Sequence, residues 1–213
     1  MNDNNDDDSI IINNLFPIPV YQTRRDSGLD STEEKEIEDI IEEGMIKNLN
    51  RSYSNNSYIF DTRLYNLKEF CEQHIKTYVK EIINPTEELD FYITQSWLNV
   101  TKPGGSHQIH SHTNSIISGA FYIQTDVGQT ITCYDTHKNN QPIIDLEVKE
   151  LNLWNSNVFD FGVTNNQLLL FPSWLDHGVQ QNEKQTKDVI SLSFNTFAKG
   201  IFGKRENLNQ LIL

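Results

Sequence analysis

Phe91-Tyr-Ile-Thr-Gln-Ser-Trp-Leu-Asn-Val100 reads as a β-strand, because aromatic and β-branched residues share it with polar ones at a period of two. The same reading extends to 115–124, 129–134, 143–151, 167–172 and 189–197, which are punctuated by Gly and Asn with no helical segment between them. Short strands without crossover helices pair antiparallel and close into a sandwich or barrel.

Upstream the period is helical. Ser31-Thr-Glu-Glu34 has capping-box spacing, and Ile37, Ile40, Ile41 and Met45 follow on one face, which predicts a helix over 32–49. A second helix is expected over 66–83, with Leu67, Phe70, Cys71, Ile75, Tyr78, Val79 and Ile82 as its stripe and Asn84-Pro85 as its stop. Both faces suit packing against a sheet. Leu15-Phe-Pro-Ile-Pro-Val-Tyr21 is expected to be extended, because its two prolines forbid a regular helix. The expected organisation is a disordered acidic N-terminus over 1–13, an extended segment and helices over 14–90, and a β core over 91–213.

The 213 residues are enough for one core without disulfide or metal staples. No apolar run approaches the roughly 20 residues of a membrane span, and Met1–Asp8 lacks the profile of a secretory signal. The two cysteines, Cys71 and Cys133, form no CxxC pattern, which points to free thiols and a cytoplasmic setting. A net charge of −13 disfavours nonspecific binding to nucleic acid.

Chemistry concentrates in the histidines. Three of the six, His107, His110 and His112, fall within six positions, and His177 follows in Phe171-Pro-Ser-Trp-Leu-Asp-His177. Histidines at i and i+2 on a strand share a face, and a third from a distant strand would close a facial metal site with open positions. His110, His112 and His177 are the expected ligands, with His107 in reserve because i−3 parity points it away. Ferrous iron fits such a set, whereas structural zinc prefers a fourth protein ligand. Asp135 and Asp176 are the acids within reach in sequence, at spacings that do not suit a ligand. His74 and His137 read as ordinary surface or core residues. Trp97, Trp154 and Trp174 read as packing residues, Trp174 near the mouth of the site.

The ordered set Ser96-Trp-Leu-Asn99, Gly104-x-x-His107-x-x-His110-x-His112-x-Asn114-Ser115, Ser118-Gly-Ala-Phe-Tyr122, Leu168-Leu-Leu-Phe-Pro-Ser173, His177-x-Val179 and Ile190-Ser-Leu-Ser-Phe-Asn195 resembles the 2-oxoglutarate/Fe(II)-dependent oxygenases of tailed phages and marine bacteria. Leu15–Val20 and the Phe197-Ala-Lys-Gly200 tail are similar to phage members too. The resemblance implies a double-stranded β-helix, a cupin-like jelly-roll barrel, in the cytoplasm of a host if phage-encoded. It implies Fe(II) and 2-oxoglutarate as cofactors, with O₂ consumed and decarboxylation coupled to C–H oxidation, most simply hydroxylation. His110 and His112 match the paired ligands and His177 the distal one. Asn99, Tyr122 and Ser191 are implied to contact the co-substrate. The resemblance also implies an Arg two residues before Ser191, and Val189 stands there instead. Lys187, two residues earlier, is either the substitute, as a point charge against the far carboxylate, or a solvated surface lysine.

Two other functions suit the same residues: a cupin-like metalloprotein or enzyme without 2-oxoglutarate, and a noncatalytic phage interaction module. The substrate class that acidic charge favours is a protein, peptide or small molecule, with peptidyl proline to be tested early. Ordinary imidazole ligands would lose metal below a pH of about 6.5.

Overall fold

The computed structural model describes residues 10–136 and 146–213. The sequence expectations for most of the acidic N-terminus and for His137 therefore lie outside the described residues.

The chain runs β1 (Tyr21–Arg24), α1 (Ser31–Glu42), β2 (Met45–Asn48), β3 (Arg51–Ser54), α2 (Tyr65–Tyr78), β4 (Asp90–Thr101), β5 (His107–His110), β6 (Ile117–Gln124), β7 (Thr130–Tyr134), β8 (Val158–Gly162), β9 (Gln167–Pro172), β10 (Asp176–Val179) and β11 (Val189–Lys199). One antiparallel sheet has the order β1-β9-β6-β11-β4-β3-β2, and a second has β5-β10-β7-β8. From β4 onward the chain alternates between the sheets, doubling back within one sheet only at β7-β8. That alternation is a double-stranded β-helix.

The large sheet is buried on both faces, and side-chain parity sorts its residues. Leu168, Leu170, Phe121, Leu192 and Phe194 face α1 and α2 and pack against Ile37, Leu67 and Ile75. Their neighbours Leu169, Phe171, Ala120 and Tyr122 point between the sheets, against Ile131, Cys133 and Leu175. By the same parity Ser191 and Ser193 point between the sheets, which explains polar residues inside a strand of large hydrophobes.

Several elements differ from the sequence expectation. The first helix is capped by Asp30, whose side chain accepts from the Thr32 and Glu33 N–H groups while Glu33 returns to the Asp30 N–H. It ends at Glu42. Gly44, at φ 122°, turns the chain where a helix cannot continue. Residues 45–54 then form the β2–β3 hairpin, with Leu49 in the left-handed region at its turn. The second helix widens into a π-turn over Val79–Ile83, and Asn84 ends it at φ 45°. The strand expected over 143–151 is absent from its described residues, 146–151, where Leu146, Val148 and Leu151 are exposed. Val158–Gly162 is the strand instead, paired with β7.

Gly119 on β6 lies opposite Phe194 on β11. A Cβ there would sit 2.1 Å from Phe194 Cζ. Gly119→Ala is therefore expected to destabilise the protein by about 1–3 kcal/mol through overpacking, read as a lower denaturant midpoint at constant m-value. An unchanged midpoint would mean that the ring has room to move.

Candidate metal centre

β5, β10 and the segment after β5 bring three histidines together. The ligand atoms of His110, His112 and His177 all lie within 4.8 Å of one another. Ring centroids are 4.5 Å apart for His110–His177, 5.1 Å for His110–His112 and 5.2 Å for His112–His177. His110 is paired directly with His177 across β5–β10. β5 ends at His110, so His112 does not share its strand. The His112 N–H instead donates to Ser173 O at 2.8 Å, and that tether turns the ring inward.

Backbone carbonyls select the free nitrogen. His110 Nδ1 donates to Gln108 O at 2.8 Å and His177 Nδ1 donates to Leu175 O at 2.9 Å. Each ring therefore presents Nε2 as a lone pair, the tautomer a metal requires. Burial pulls all three pKa values down, His112 to about 3 and His177 to about 4. Neutral imidazoles at this spacing fit a divalent transition ion after small ring rotations. No carboxylate joins the cluster among the described residues. Asp176 accepts a hydrogen bond from Thr136 Oγ1 instead.

His107 is inside the pocket too, against the parity expectation. A bulge lies between the His177↔His110 and Val179↔His107 pairs, so three residues of β5 span two of β10. Both ring nitrogens are occupied. Arg51 Nη1 reaches His107 Nδ1 at 3.2 Å, and His107 Nε2 lies 2.6 Å from Thr101 Oγ1. A guanidinium can only donate, so Nδ1 accepts and Nε2–H donates to the threonine. Burial first, and the Arg51 charge second, hold the His107 pKa at about 3.

The pocket around the three histidines is lined further by Arg51, Trp97, Tyr122, Gln129, Ser191 and Ser193. Val189 lines it as well. Burial raises the Tyr122 pKa, so its hydroxyl stays a donor at neutral pH. Gln129 is buried, and its Oε1 has no hydrogen-bond partner among the described residues.

Two expected residues lie elsewhere. Asn99 is buried and absent from the pocket lining, but it bonds to two residues that line it: its Oδ1 accepts from Arg51 Nη1 at 3.2 Å and its Nδ2 donates to Ser193 Oγ at 3.0 Å. Lys187 precedes β11 rather than belonging to it, is exposed, and is absent from the pocket lining. Its backbone N–H is tied to Asp126 Oδ2 at 3.0 Å, which faces the segment outward. His74 is an ordinary packed histidine, 2.7 Å from the Tyr21 hydroxyl. Trp97 lines the site with its ring 5.8 Å from that of His112, whereas Trp154 and Trp174 are half-exposed.

The helix reading of 32–49 concealed Arg51, because it left no strand to carry it. Asn48-Leu-Asn50 was the available turn signal.

A double-stranded β-helix with three convergent imidazoles is a jelly-roll protein with a candidate metal centre. Residues 95–195 match the family described as "Putative 2OG-Fe(II) oxygenase", which supports an oxidoreductase that uses Fe(II) and 2-oxoglutarate. The fold is similar to HygX from Streptomyces hygroscopicus with nickel, 2-oxoglutarate and hygromycin B bound (TM-score 0.54, 12% identity, 84% of this chain and 82% of that one). It is also similar to a Pseudomonas putida prolyl-4-hydroxylase (TM-score 0.54, 12% identity, 84% and 92% covered). A third likeness is to a Trichoplax adhaerens prolyl hydroxylase in complex with a hypoxia inducible factor peptide fragment (TM-score 0.56, 12% identity, 83% of each chain). No curated protein matches in sequence. No helix among the described residues is long and apolar enough to cross a membrane.

Proposed function

We propose that His110, His112 and His177 hold Fe(II) through Nε2 as a three-histidine face, and that the enzyme hydroxylates a C–H bond of a peptide or small molecule. The observation that carries this is the convergence of three neutral imidazoles, two of them held in the ligand tautomer by backbone carbonyls. When bound, iron would activate O₂, the oxidant, with one oxygen atom going to 2-oxoglutarate as it is oxidatively decarboxylated to succinate and CO₂ and the other to the substrate C–H bond.

The chain's part is to bind and orient. Three neutral ligands leave the full double charge of the ion uncompensated, and that favours a dianionic co-substrate. Ser191, Ser193 and Tyr122 line the same pocket and offer it hydroxyl donors. Asn99 supports the pocket by hydrogen-bonding Ser193 and Arg51. We assign the catalytic core to 91–213, with the β2–β3 hairpin completing one wall. Two buried free thiols support a cytoplasmic setting, and the motif likeness supports a phage or marine-bacterial origin. Prolyl hydroxylases among the similar folds make a proline-containing peptide the first substrate to try.

Anaerobic Fe(II) titration followed by 2-oxoglutarate tests the assignment. A visible charge-transfer band is expected in the wild type and is expected to vanish in His110→Ala. Stoichiometric iron with no band would indicate a cupin-like metalloenzyme that does not use 2-oxoglutarate. Absence of metal binding would leave an interaction module.

A further inference from the structure

We propose that Arg51, carried on the hairpin strand β3, binds the C5 carboxylate of 2-oxoglutarate, the cation having moved two strands across the sheet from the row position occupied by Val189. The inference rests on the 2-oxoglutarate reading above. Four observations support it.

Among the described residues, Arg51 is the only Lys, Arg, Asp or Glu that lines the three-histidine pocket. Its guanidinium is partly buried, yet no carboxylate forms an ion pair with it among the described residues. A buried charge without a counter-ion is costly, and in a ligand pocket it is offset when an anion arrives. A guanidinium stays charged even when burial draws its pKa down, so the site remains cationic at any working pH.

The hydrogen bonds aim the group. Nη1 alone is used, toward Asn99 Oδ1 and His107 Nδ1, both at 3.2 Å. Among the described residues nothing accepts from Nη2 or Nε, so a fork of donors is left for a planar carboxylate. His107 is thereby a positioning residue, locked between Thr101 and Arg51, which accounts for an inward histidine outside the metal cluster.

Register explains how the charge reaches the site. Val189 on β11 is paired with Thr101 on β4. On the other side of β4, Tyr53 is paired with Asn99 and Ser52 with Val100. Continuing that register sets Arg51 beside Thr101, in one cross-strand row with Val189. Residues in such a row share a face. The valine leaves room that a long side chain from the hairpin can enter.

The ligand chemistry follows. A 2-oxo acid bound to the metal through its keto-acid end holds its second carboxylate several ångströms away, where the free guanidinium fork meets it. A 2-oxo acid of the same length without that carboxylate, 2-oxopentanoate, loses the pairing and keeps the rest.

The test is a pair of dissociation constants, measured anaerobically on the full-length Fe(II)-loaded protein from the charge-transfer band. Wild type is expected to bind 2-oxoglutarate about 10- to 100-fold more tightly than 2-oxopentanoate, the range of one charge-assisted interaction. Arg51→Met and Arg51→Gln are expected to remove that preference, by weakening 2-oxoglutarate and leaving 2-oxopentanoate within about threefold, a change expected to be small because that ligand has no second carboxylate. Arg51→Lys should keep part of the preference, and Lys187→Met all of it. A merely structural arginine would weaken both ligands alike, so selectivity is the deciding readout. Wild type binding both acids equally would overturn the Arg51 assignment without any substitution. So would an Arg51→Gln protein that keeps the preference, or a Lys187→Met protein that loses it. No band with either acid would overturn the 2-oxoglutarate reading itself, and this inference with it.

Discussion

His177→Ala is expected to lower Fe(II) or Co(II) affinity by more than about 100-fold, because loss of a ligand must exceed the 10- to 100-fold cost typical of removing a group that only hydrogen-bonds a ligand. His177 is 6% exposed and sits mid-sheet, paired with His110 on one side and Cys133 on the other. Its Nδ1–H is held by Leu175 O, and Phe171 packs against its ring at 4.7 Å. The ring is thus held rigidly, which is what a ligand needs if the free-energy cost of ordering is not to be met by the metal. With His177 removed, two half-buried imidazoles remain and no carboxylate in the cluster replaces the third. His74→Ala serves as the control, since that ring is bonded to Tyr21 and packed on Phe70 at 4.5 Å. His177→Gln keeps most of the volume and separates lost ligation from lost packing. Isothermal titration with Co(II) reads all three. Equal affinity in His177→Ala and His74→Ala would remove the ligand assignment.

The barrel was legible because the central strands of its large sheet are buried on both faces. Leu168-Leu-Leu-Phe171 and Ile190-Ser-Leu-Ser-Phe194 have the apolar content and period that only a two-sided sheet requires. The helices were legible as stripes, and their ends were less so. Local propensity carried the first stripe through Met45, while pairing of β3 with β4 claimed the residues from 45 to 54 for a hairpin. That single tertiary override concealed Arg51. The site's histidines were visible from their clustering, yet the reason His107 faces inward is a bulge, and bulges leave no trace in a period-two reading. Lys187 lies outside the pocket lining for a related reason. Counting back along the strand assumed that β11 continued to 187, whereas Asp126 draws the Thr186 and Lys187 N–H groups away and the strand starts at Val189.

Acid should destabilise the metal-free fold well before it displaces metal from the folded site. Burial is the largest cause holding His107 and His112 at about 3 and His177 at about 4, against about 6.5 in an unfolded chain. The unfolded state therefore takes up these protons first. Stability from the three groups is complete above pH 6.5 and is lost as pH falls from there toward 4 and 3. The slope between those limits is about 1.4 kcal/mol per pH unit for each histidine, so about 4 kcal/mol per unit for three. Against a typical total of about 5–15 kcal/mol, urea melts of the apo-protein at pH 7.5, 6.0 and 5.0 should show a steep fall across the last step. The native site behaves in the opposite way. His112 and His177 are already neutral at pH 5.5 and burial lowers the His110 value as well, so Co(II) affinity of the folded protein should fall far less between pH 7.5 and 5.5 than that of free imidazoles. Free imidazoles would instead lose about tenfold per ligand at pH 5.5, roughly 1,000-fold for three. The expectation from sequence, of metal loss beginning near 6.5, thus gives way to one at lower pH because the rings are desolvated between two sheets. A 1,000-fold fall in affinity by pH 5.5 would mean that the rings titrate as they do in water, and that the pocket is open enough to hydrate them.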